Sequence, residues 1–311
     1  MSYNTTNLYD ITPHIAEIYD QSEMVRDDVD LLFSLIPPLP LPPIFAHERG
    51  GIVQDSRGEN GGTEGGRFFH ILEPFCGAGR FLIPLAQAGH TLVGLDQASG
   101  MLARARQKLA LLSSQVQSRV TLHQADVIAE AWPCGFDLVI LGGNCLYELA
   151  TPEEQEHVIR MAAISLDPGG YVFVDNNHME GGLAPSWQQP GVRSGFPSGT
   201  CADGTRVEST TETIWFDIPA RLVKFRRKTL VYLPGSGDTP HRPTVPSATA
   251  SGKVIEVAYI QQKHPVSKYE VQTWLEKYGF IIEKVFGDRA GNPYTPASNR
   301  AIFWARKSSG E

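Results

Sequence analysis

Two acids and two glycines between residues 73 and 96 are the residues best spaced to do chemistry in this sequence. Glu73 ends an apolar run, and Gly77 and Gly79 follow it directly. Asp96 ends a second apolar run after a helical segment. Glycine lets a ligand lie against the backbone, the first turn of a helix presents free N–H groups, and an acid closing the second strand is placed to bind both ribose hydroxyls. The strand–turn–helix–strand pattern therefore predicts a site for a nucleoside-bearing cofactor.

The turn itself distinguishes between cofactors. A dinucleotide fingerprint G-x-G-x-x-G needs a third glycine where this sequence has Leu82, and the turn opens with the acid Glu73. A carboxylate there repels a pyrophosphate and attracts an ammonium group. The stretch EPFCGAGRF (73–81) resembles the first motif of the class I S-adenosylmethionine-dependent methyltransferases. The resemblance implies S-adenosyl-L-methionine as the cofactor and S-adenosyl-L-homocysteine as its product.

Further along the chain, helical and strand patterns alternate. Ser99 is the predicted N-cap of an amphipathic helix over 98–112, while Thr151 and Ser267 begin two capping-box sequences. Apolar or β-rich runs at 120–125, 136–141, 171–175, 280–286 and 300–306 predict five strands beyond the first two. The predicted fold class is α/β, a seven-stranded, doubly wound, Rossmann-like methyltransferase sheet with an inserted antiparallel β lid.

The segments outside this alternation define the predicted domains. Residues 1–36 are expected to form an N-terminal helical cap, and the Pro- and Gly-rich residues 37–66 a flexible loop. The methyltransferase core is expected at 67–181 and 263–311. Within the insertion at 182–262, three stretches rich in Thr, Val, Ile and aromatics (206–216, 221–233 and 253–262) predict antiparallel strands, and the tip at 235–252 is expected to be disordered. We expect this sheet to cover the carboxyl ends of the core strands, where ligands bind in open α/β sheets.

The insertion narrows the resemblance to one subgroup. A Y-D pair at 19–20, a G-N pair at 143–144, P-G-G at 168–170 and the β insertion look like glycine N-methyltransferase and the amino-sugar N-methyltransferases. The matching stretches are 15–32, 71–109, 137–149 and 166–177, under half of the chain. The resemblance implies in-line methyl transfer to the nitrogen of a small molecule.

The resemblance also implies roles for individual residues on the cofactor side. Glu73 would lie near the cofactor ammonium, Asp96 would bind the ribose diol, and Arg26 would bind the cofactor carboxylate. The other implied cofactor contacts are Gly77 and Gly79 in the turn, Gln97 and Met101 beside the adenine, Asp126 and the Val127 N–H at the adenine edge, and the Leu141 carbonyl at the methionine part. Asp126 as a turn cap, Met101 as core filling and Arg26 as a surface ion pair are the competing interpretations.

On the acceptor side, the candidate catalytic residues are Tyr19, Asn144 and His178, with Tyr147 and Asn177 as substrate contacts. Asn144 is expected to orient an amine through its side-chain carbonyl. A base, either His178 or a tyrosine, keeps O-methylation open as an alternative, because oxygen acceptors need a general base or a metal more often than amines do. The glycine enzyme has an arginine after its fifth strand, where this chain reads DNNH (175–178), so glycine is not the expected acceptor.

Composition excludes several other partners. A net charge of −7 and a pI near 5.7 argue against a nucleic-acid partner, and no apolar stretch is long enough to span a membrane. Four cysteines without a C-x-x-C pair and an N-terminus without a signal-peptide core predict a reducing, cytoplasmic location. No metal is expected, because the nine histidines lack ligand spacing. A homodimer and a non-catalytic S-adenosylmethionine-binding protein both stay open as alternatives.

Overall fold

Eleven strands in two sheets make up the β structure of the computed structural model, which describes residues 7–22, 26–36, 68–177, 182–234 and 253–309. The predicted loop at 37–66, the tip at 235–252 and His178 lie outside those residues. The strands of the larger sheet are β1 (His70–Pro74), β2 (Thr91–Asp96), β3 (Val120–Gln124), β4 (Phe136–Leu141), β5 (Leu166–Asn177), β10 (Phe280–Phe286) and β11 (Arg300–Lys307).

The strand order in this sheet is β10-β11-β5-β4-β1-β2-β3. β1 to β5 are parallel, whereas β11 runs antiparallel to both β5 and β10. The chain order reverses between β1 and β4, which makes that crevice the switch point where ligands bind in such sheets. This confirms the predicted seven-stranded, doubly wound α/β sheet and places the ends of β1, β2, β4 and β5 along one edge.

Seven helices connect the strands among the described residues, and a 3-10 turn at Leu8–Asp10 precedes them. Thr151 and Ser267 are the N-caps of their helices, as predicted, and each side chain accepts a hydrogen bond from the backbone N–H three residues further on. The reciprocal bond of a capping box forms at Ser267, whereas Glu154 accepts from the Ala150 N–H instead of the Thr151 N–H. The prediction for Ser99 is wrong, because Ser99 is the first helical residue and Ala98 is the cap. The helices are α1 (Pro13–Ser22), α2 (Asp27–Leu35), α3 (Leu82–Gln87), α4 (Ser99–Ala110), α5 (Ser114–Gln117), α6 (Pro152–Ser165) and α7 (Lys268–Lys277).

The core lies on both faces of the large sheet. Successive side chains in a strand point to opposite faces, so continuous apolar strands fill two layers. Leu72, Val139 and Val174 pack toward α6 and α7, whereas Ile71 and Phe173 pack toward α2 and α3. Among the described residues, no helix is long and apolar enough to cross a membrane.

The second sheet has four antiparallel strands in the order β6 (Val192–Thr200), β7 (Arg206–Asp217), β8 (Leu222–Tyr232) and β9 (Val254–Lys263). The predicted strands correspond to β7, β8 and β9. β6 was not predicted, because the glycines and proline of VRSGFPSGT indicate a loop; its pairing with β7 is interrupted between Gly195 and Gly199. The absent side chain of Gly199 lets Ile18 of α1 approach, with 3.1 Å from its Cδ1 to the place a Cβ would take. The N-terminal helix and the inserted sheet therefore share one apolar layer.

Candidate functional site

The glycine turn after β1 contains a buried carboxylate with unused hydrogen-bonding capacity. Glu73 is only 4% exposed, and its Oε2 has no hydrogen-bond partner among the described residues. Burial raises the pKa of this carboxyl well above its usual range, while a hydrogen bond from the Leu82 backbone opposes the shift. Gly77 and Gly79 have φ of +51° and +79°, a region that residues with a Cβ rarely adopt. An unsatisfied buried acceptor costs about 1–3 kcal/mol, so the turn fits a ligand that brings a donor to Glu73.

Asp96 joins the end of β2 to this turn. Its Oδ2 accepts a hydrogen bond from the Gly77 N–H at 2.8 Å, and its Oδ1 accepts one from the Ala98 N–H, also at 2.8 Å. Burial raises the pKa of Asp96, and these two backbone bonds partly offset the rise. Each carboxylate oxygen has a second lone pair, so two further donors, such as a pair of hydroxyls, can still bind. The buried Met101 lies against the turn, its Cε 3.1 Å from the place a Cβ would take at Gly77.

The N-terminal segment docks on the first turn of α4, beside Asp96. Asp10 Oδ1 accepts hydrogen bonds from the Gly100 N–H and the Ser99 hydroxyl, both at 2.9 Å, so Asp10 supplies the acceptor that no local N-cap provides. A Cβ at Gly100 would lie 1.9 Å from the carbonyl oxygen of Tyr9. Asp20 of α1 adds ion pairs to two basic residues of α4, Arg104 at 3.1 Å and Lys108 at 2.6 Å. These contacts place α1 over the carboxyl edge of the sheet.

Tyr19 lies where α1 meets the second sheet. Its ring makes edge contacts with Tyr9 and Phe196 at centroid distances of 5.5 and 5.4 Å. Burial, reinforced by the charge of Glu148, raises the pKa of Tyr19 to about 12. The charge of Arg80 opposes this rise in the pKa of Tyr19, whereas the charge of Asp96 adds to it. The catalytic role of Tyr19 stays a prediction.

Asn144 connects the loop after β4 to the end of β5. It adopts a left-handed conformation with φ of +63°, and its Oδ1 accepts hydrogen bonds from the Asn177 N–H at 2.7 Å and from Arg300 Nη2 at 2.8 Å. Arg300 Nη1 also donates to Asn177 Oδ1 at 2.6 Å. The oxygen expected to orient an amine is thus already shared by two donors, and the geometry makes Asn144 a positioning residue for this loop. The predicted contact of Asn177 with substrate is untested.

A buried cluster of charges lies beneath this loop. Asp175 is fully buried and accepts hydrogen bonds from Arg300 and Arg289. Asp28 of α2, also fully buried, pairs with Arg289 at 3.1 Å and with Arg80 of the glycine turn at 2.6 Å. Burial raises the pKa of Asp28 to about 6, and Arg289 opposes the shift. Burial together with repulsion from Arg289 lowers the pKa of Arg80 to about 10.

Arg80 was not singled out from the sequence, although it lies inside the quoted motif at the start of an apolar helix. Arg26, the residue expected at the cofactor carboxylate, is exposed at the start of α2, and its backbone carbonyl accepts from the Asp30 N–H at 2.9 Å. The binding of the cofactor carboxylate by Arg26 stays a prediction. Arg80 is a second guanidinium, more enclosed than that of Arg26, and it lies in the glycine turn.

Glu148 is the other residue that sequence reasoning passed over. It ends the loop after β4, and its carboxylate accepts from Lys263 Nζ at 3.1 Å and Gln261 Nε2 at 3.0 Å, both on β9. Burial alone would raise its pKa, but Lys263, Arg227 and Gln261 outweigh burial and lower it. The side chain keeps 62% of its surface accessible, so it borders open space beneath the second sheet. No local signal pairs Glu148 with Lys263, since 115 residues separate them.

The remaining predicted residues are distributed around the same edge. Asp126 caps a turn, because its Oδ1 accepts hydrogen bonds from the Ile128 and Ala129 N–H groups. This is the structural role that competes with its predicted contact to the adenine. Its Oδ2 has no hydrogen bond to a described residue. Tyr147 is buried against Trp187, at a centroid distance of 6.2 Å, and its hydroxyl has no partner among the described residues. Val127 and Leu141 are buried near the ends of their segments, and Gln97 is exposed with its carbonyl accepting from Gln124.

Comparison with protein-family models identifies the domain that contains this edge of the sheet. Residues 72–172 match the family model described as a methyltransferase domain, a span that runs from β1 into β5. This chain carries a methyltransferase domain. The matched span includes the turn of Gly77 and Gly79, Asp96 and the loop of Asn144, whereas the predicted site residues Tyr19, Arg26, Asn177 and His178 lie outside it. Comparison with curated protein sequences gives no match.

Solved structures of methyltransferases share the fold over nearly all of this chain. An S-adenosylmethionine-dependent methyltransferase from Clostridium acetobutylicum has a TM-score of 0.62 at 13% identity, covering 97% of this chain and 100% of its own. The sugar N-methyltransferase KedS8 from a Streptoalloteichus species has a TM-score of 0.57 at 15% identity, covering 99% of each chain. The CcbJ methyltransferase from Streptomyces caelestis has a TM-score of 0.55 at 16% identity, covering 91% of this chain and 94% of its own. At such identities the similarity establishes the fold.

The cofactor of this domain is S-adenosyl-L-methionine, as predicted, and the described residues fit it. Glu73 offers the unpartnered Oε2 to an ammonium, and Asp96 has acceptor capacity for two ribose hydroxyls. Gly77 and Gly79, both at positive φ, place no Cβ in the way of a ligand at those two positions. No group of three His, Cys, Asp or Glu residues in the described part of the chain is placed to hold a metal ion. The expectation that no metal takes part stays a prediction.

Proposed function

We propose that the methyltransferase acts on the amine nitrogen of a small molecule held between the glycine turn, Tyr19 and the inserted sheet. The observation that carries this proposal is the accessible carboxylate of Glu148, which is kept ionised by Lys263 and whose charge acts on Tyr19. A carboxylate held in this way accepts a hydrogen bond from an amine N–H and directs the nitrogen lone pair away from itself.

The protein residues in this proposal bind, orient and exclude water. Bound S-adenosyl-L-methionine supplies a methyl group on a sulfonium, which is already a good leaving group. Glu73 and Asp96 fix the two ends of the cofactor site, while Tyr19 and Tyr9 close it on the side of α1. Correct alignment of two reactants lowers a barrier by roughly 7–11 kcal/mol, so orientation within an enclosed site is a sufficient task for these residues.

The acid–base properties of the described groups favour nitrogen over oxygen. With a pKa raised to about 12, the Tyr19 hydroxyl stays protonated at neutral pH, which argues against the alternative of a tyrosine base for O-methylation. Burial also raises the pKa of Tyr9 and of Cys145, so these groups stay protonated as well. A neutral amine needs no base before methyl transfer, and an enclosed site lowers the pKa of an amine toward its neutral form.

Methylation of paired amines and alcohols by the full chain tests the proposal. The chain is incubated with S-adenosyl-L-methionine and each acceptor, and the product is analysed by mass spectrometry and NMR for the methylated atom. We expect the methyl group on nitrogen. A methyl group on oxygen or carbon would refute the amine assignment and leave the methyltransferase domain unaffected.

Asp96→Ala serves as the cofactor control in the same experiment. We expect it to weaken S-adenosyl-L-homocysteine binding more than tenfold in calorimetry, because two hydroxyl partners lose a charged acceptor. Unchanged affinity would show that Asp96 does not hold the ribose. A small-molecule acceptor without nucleic-acid or membrane partners and a cytoplasmic location belong to the same proposal.

A further inference from the structure

The inward face of β8 carries a charged residue in an otherwise buried row. Val223, Phe225, Thr229 and Val231 alternate along the strand and are each no more than 2% exposed. Arg227 occupies the middle position of this row and is half-buried. An arginine in such a row loses hydration, so its guanidinium needs compensating partners.

Two cations on the outward face of β8 have acidic partners. Arg226 pairs with Glu212 at 2.6 Å, and Lys228 pairs with Glu256 at 2.8 Å. Arg227, between them in sequence, makes no hydrogen bond or direct ion pair with a described residue, and its Nε is buried without a partner. The inward cation therefore differs from its neighbours in having its hydrogen-bonding groups available.

A second guanidinium shares the surroundings of Arg227. Arg193 on β6 and Arg227 both lie over the ring of Phe225, with centroid distances of 5.9 and 5.7 Å. Arg193 donates to the Gln189 carbonyl at 3.3 Å and to Thr213 Oγ1 at 3.0 Å, both of them neutral acceptors. Two guanidiniums thus flank one aromatic ring, and neither has a carboxylate within ion-pair distance in the described structure.

This pair of arginines faces the proposed acceptor space. Arg227 is directly opposite Tyr259 in the β8–β9 register, and the charges of Arg227 and Glu148 both act on the Tyr259 hydroxyl. The charge of Arg227 also acts on Glu148, but that carboxylate is already paired with Lys263 at 3.1 Å. The wall of the proposed acceptor space therefore carries more positive charge than the single carboxylate of Glu148 neutralises.

We propose that Arg227 and Arg193 bind an oxyanion, a carboxylate or a phosphate, on the methyl acceptor. The planar fork of a guanidinium matches both oxyanions and forms paired, charge-assisted hydrogen bonds with them. The inference rests on the proposed function only in placing the acceptor beneath the second sheet. It assigns to the acceptor an anionic group as well as the nitrogen that receives the methyl group.

Binding to the S-adenosyl-L-homocysteine complex of the full chain tests the inference. Two pairs of compounds differ by one anion, phenethylamine against phenylalanine for the carboxylate, and glucosamine against glucosamine 6-phosphate for the phosphate. We expect the anionic member of one pair to bind about tenfold more tightly than its partner in calorimetry, and the pair that responds identifies the oxyanion. Arg227→Gln should abolish that preference.

Arg226→Gln is the matched control, because it removes a neighbouring cation from the outward face of the same strand. It should keep the preference, and the melting temperature of each complex reports whether the variants fold. Equal or weaker binding by both anionic compounds, or a preference that survives Arg227→Gln, would overturn the inference. Because the readout is binding, methylation on oxygen would refute the proposed function without affecting this result.

Discussion

Replacing Gly100 with alanine tests the docking of the N-terminal segment on α4. The new Cβ would lie 1.9 Å from the Tyr9 carbonyl oxygen, whereas real Cβ contacts stay beyond 3.0 Å, so the backbone at Tyr9 must retreat by about 1 Å. Such a retreat cannot preserve both 2.9 Å hydrogen bonds of Asp10 to the first turn of α4. Overpacking costs about 1–3 kcal/mol and a lost N-cap about 0.5–2 kcal/mol, so we expect the free energy of unfolding to fall by about 2–4 kcal/mol.

The sign of the effect makes this experiment decisive. Without the docked segment, Gly100→Ala would stabilise a helix by up to about 1 kcal/mol, because alanine has the higher helix propensity. Urea unfolding measures the free energy, and calorimetry with S-adenosyl-L-homocysteine measures whether the site loosens. Ser99→Ala is the control, since it removes one hydroxyl bond to Asp10 without adding a Cβ. Stabilisation by Gly100→Ala with unchanged cofactor affinity would refute the docking.

Two further predictions concern charge and protonation. Since burial raises the pKa of Tyr19 from 10.0 to about 12, its stabilising contribution is complete below pH 10 and is lost as pH rises through 12. Urea unfolding between pH 9 and 11 should therefore show a smaller loss of stability in Tyr19→Phe than in the native chain; equal losses would contradict the shift. Arg300→Gln should lower the free energy of unfolding by about 3–5 kcal/mol, because it leaves the fully buried Asp175 with one partner fewer. Arg306→Gln on the same strand, which loses only a pair with Glu283, should cost about 0–1 kcal/mol in the same assay.

Some of the site was predictable because its signals are local. Gly77, Gly79 and Asp96 lie within twenty residues of one another, and a glycine turn between two apolar strands requires no distant partner to form. The N-caps at Thr151 and Ser267 are local for the same reason. The prediction of Ser99 as a cap was wrong because a residue 89 positions away supplies the acceptor instead. β6 was missed because its glycines and proline oppose strand formation locally, while pairing with β7 stabilises it.

The sequence by itself determined the α/β fold, the cofactor turn and the acid at the end of β2, because hydrophobic periodicity and turn chemistry act over a few residues. The tertiary structure alone decided which charges meet. Glu148 meets Lys263, Arg300 meets Asn144, and Arg227 faces inward with no ion pair to a carboxylate of the described residues. The first two contacts join residues more than a hundred positions apart, which no local pattern can pair. The position of Arg227 depends on strand register, because a shift of one residue would move every side chain of β8 to the opposite face of the sheet.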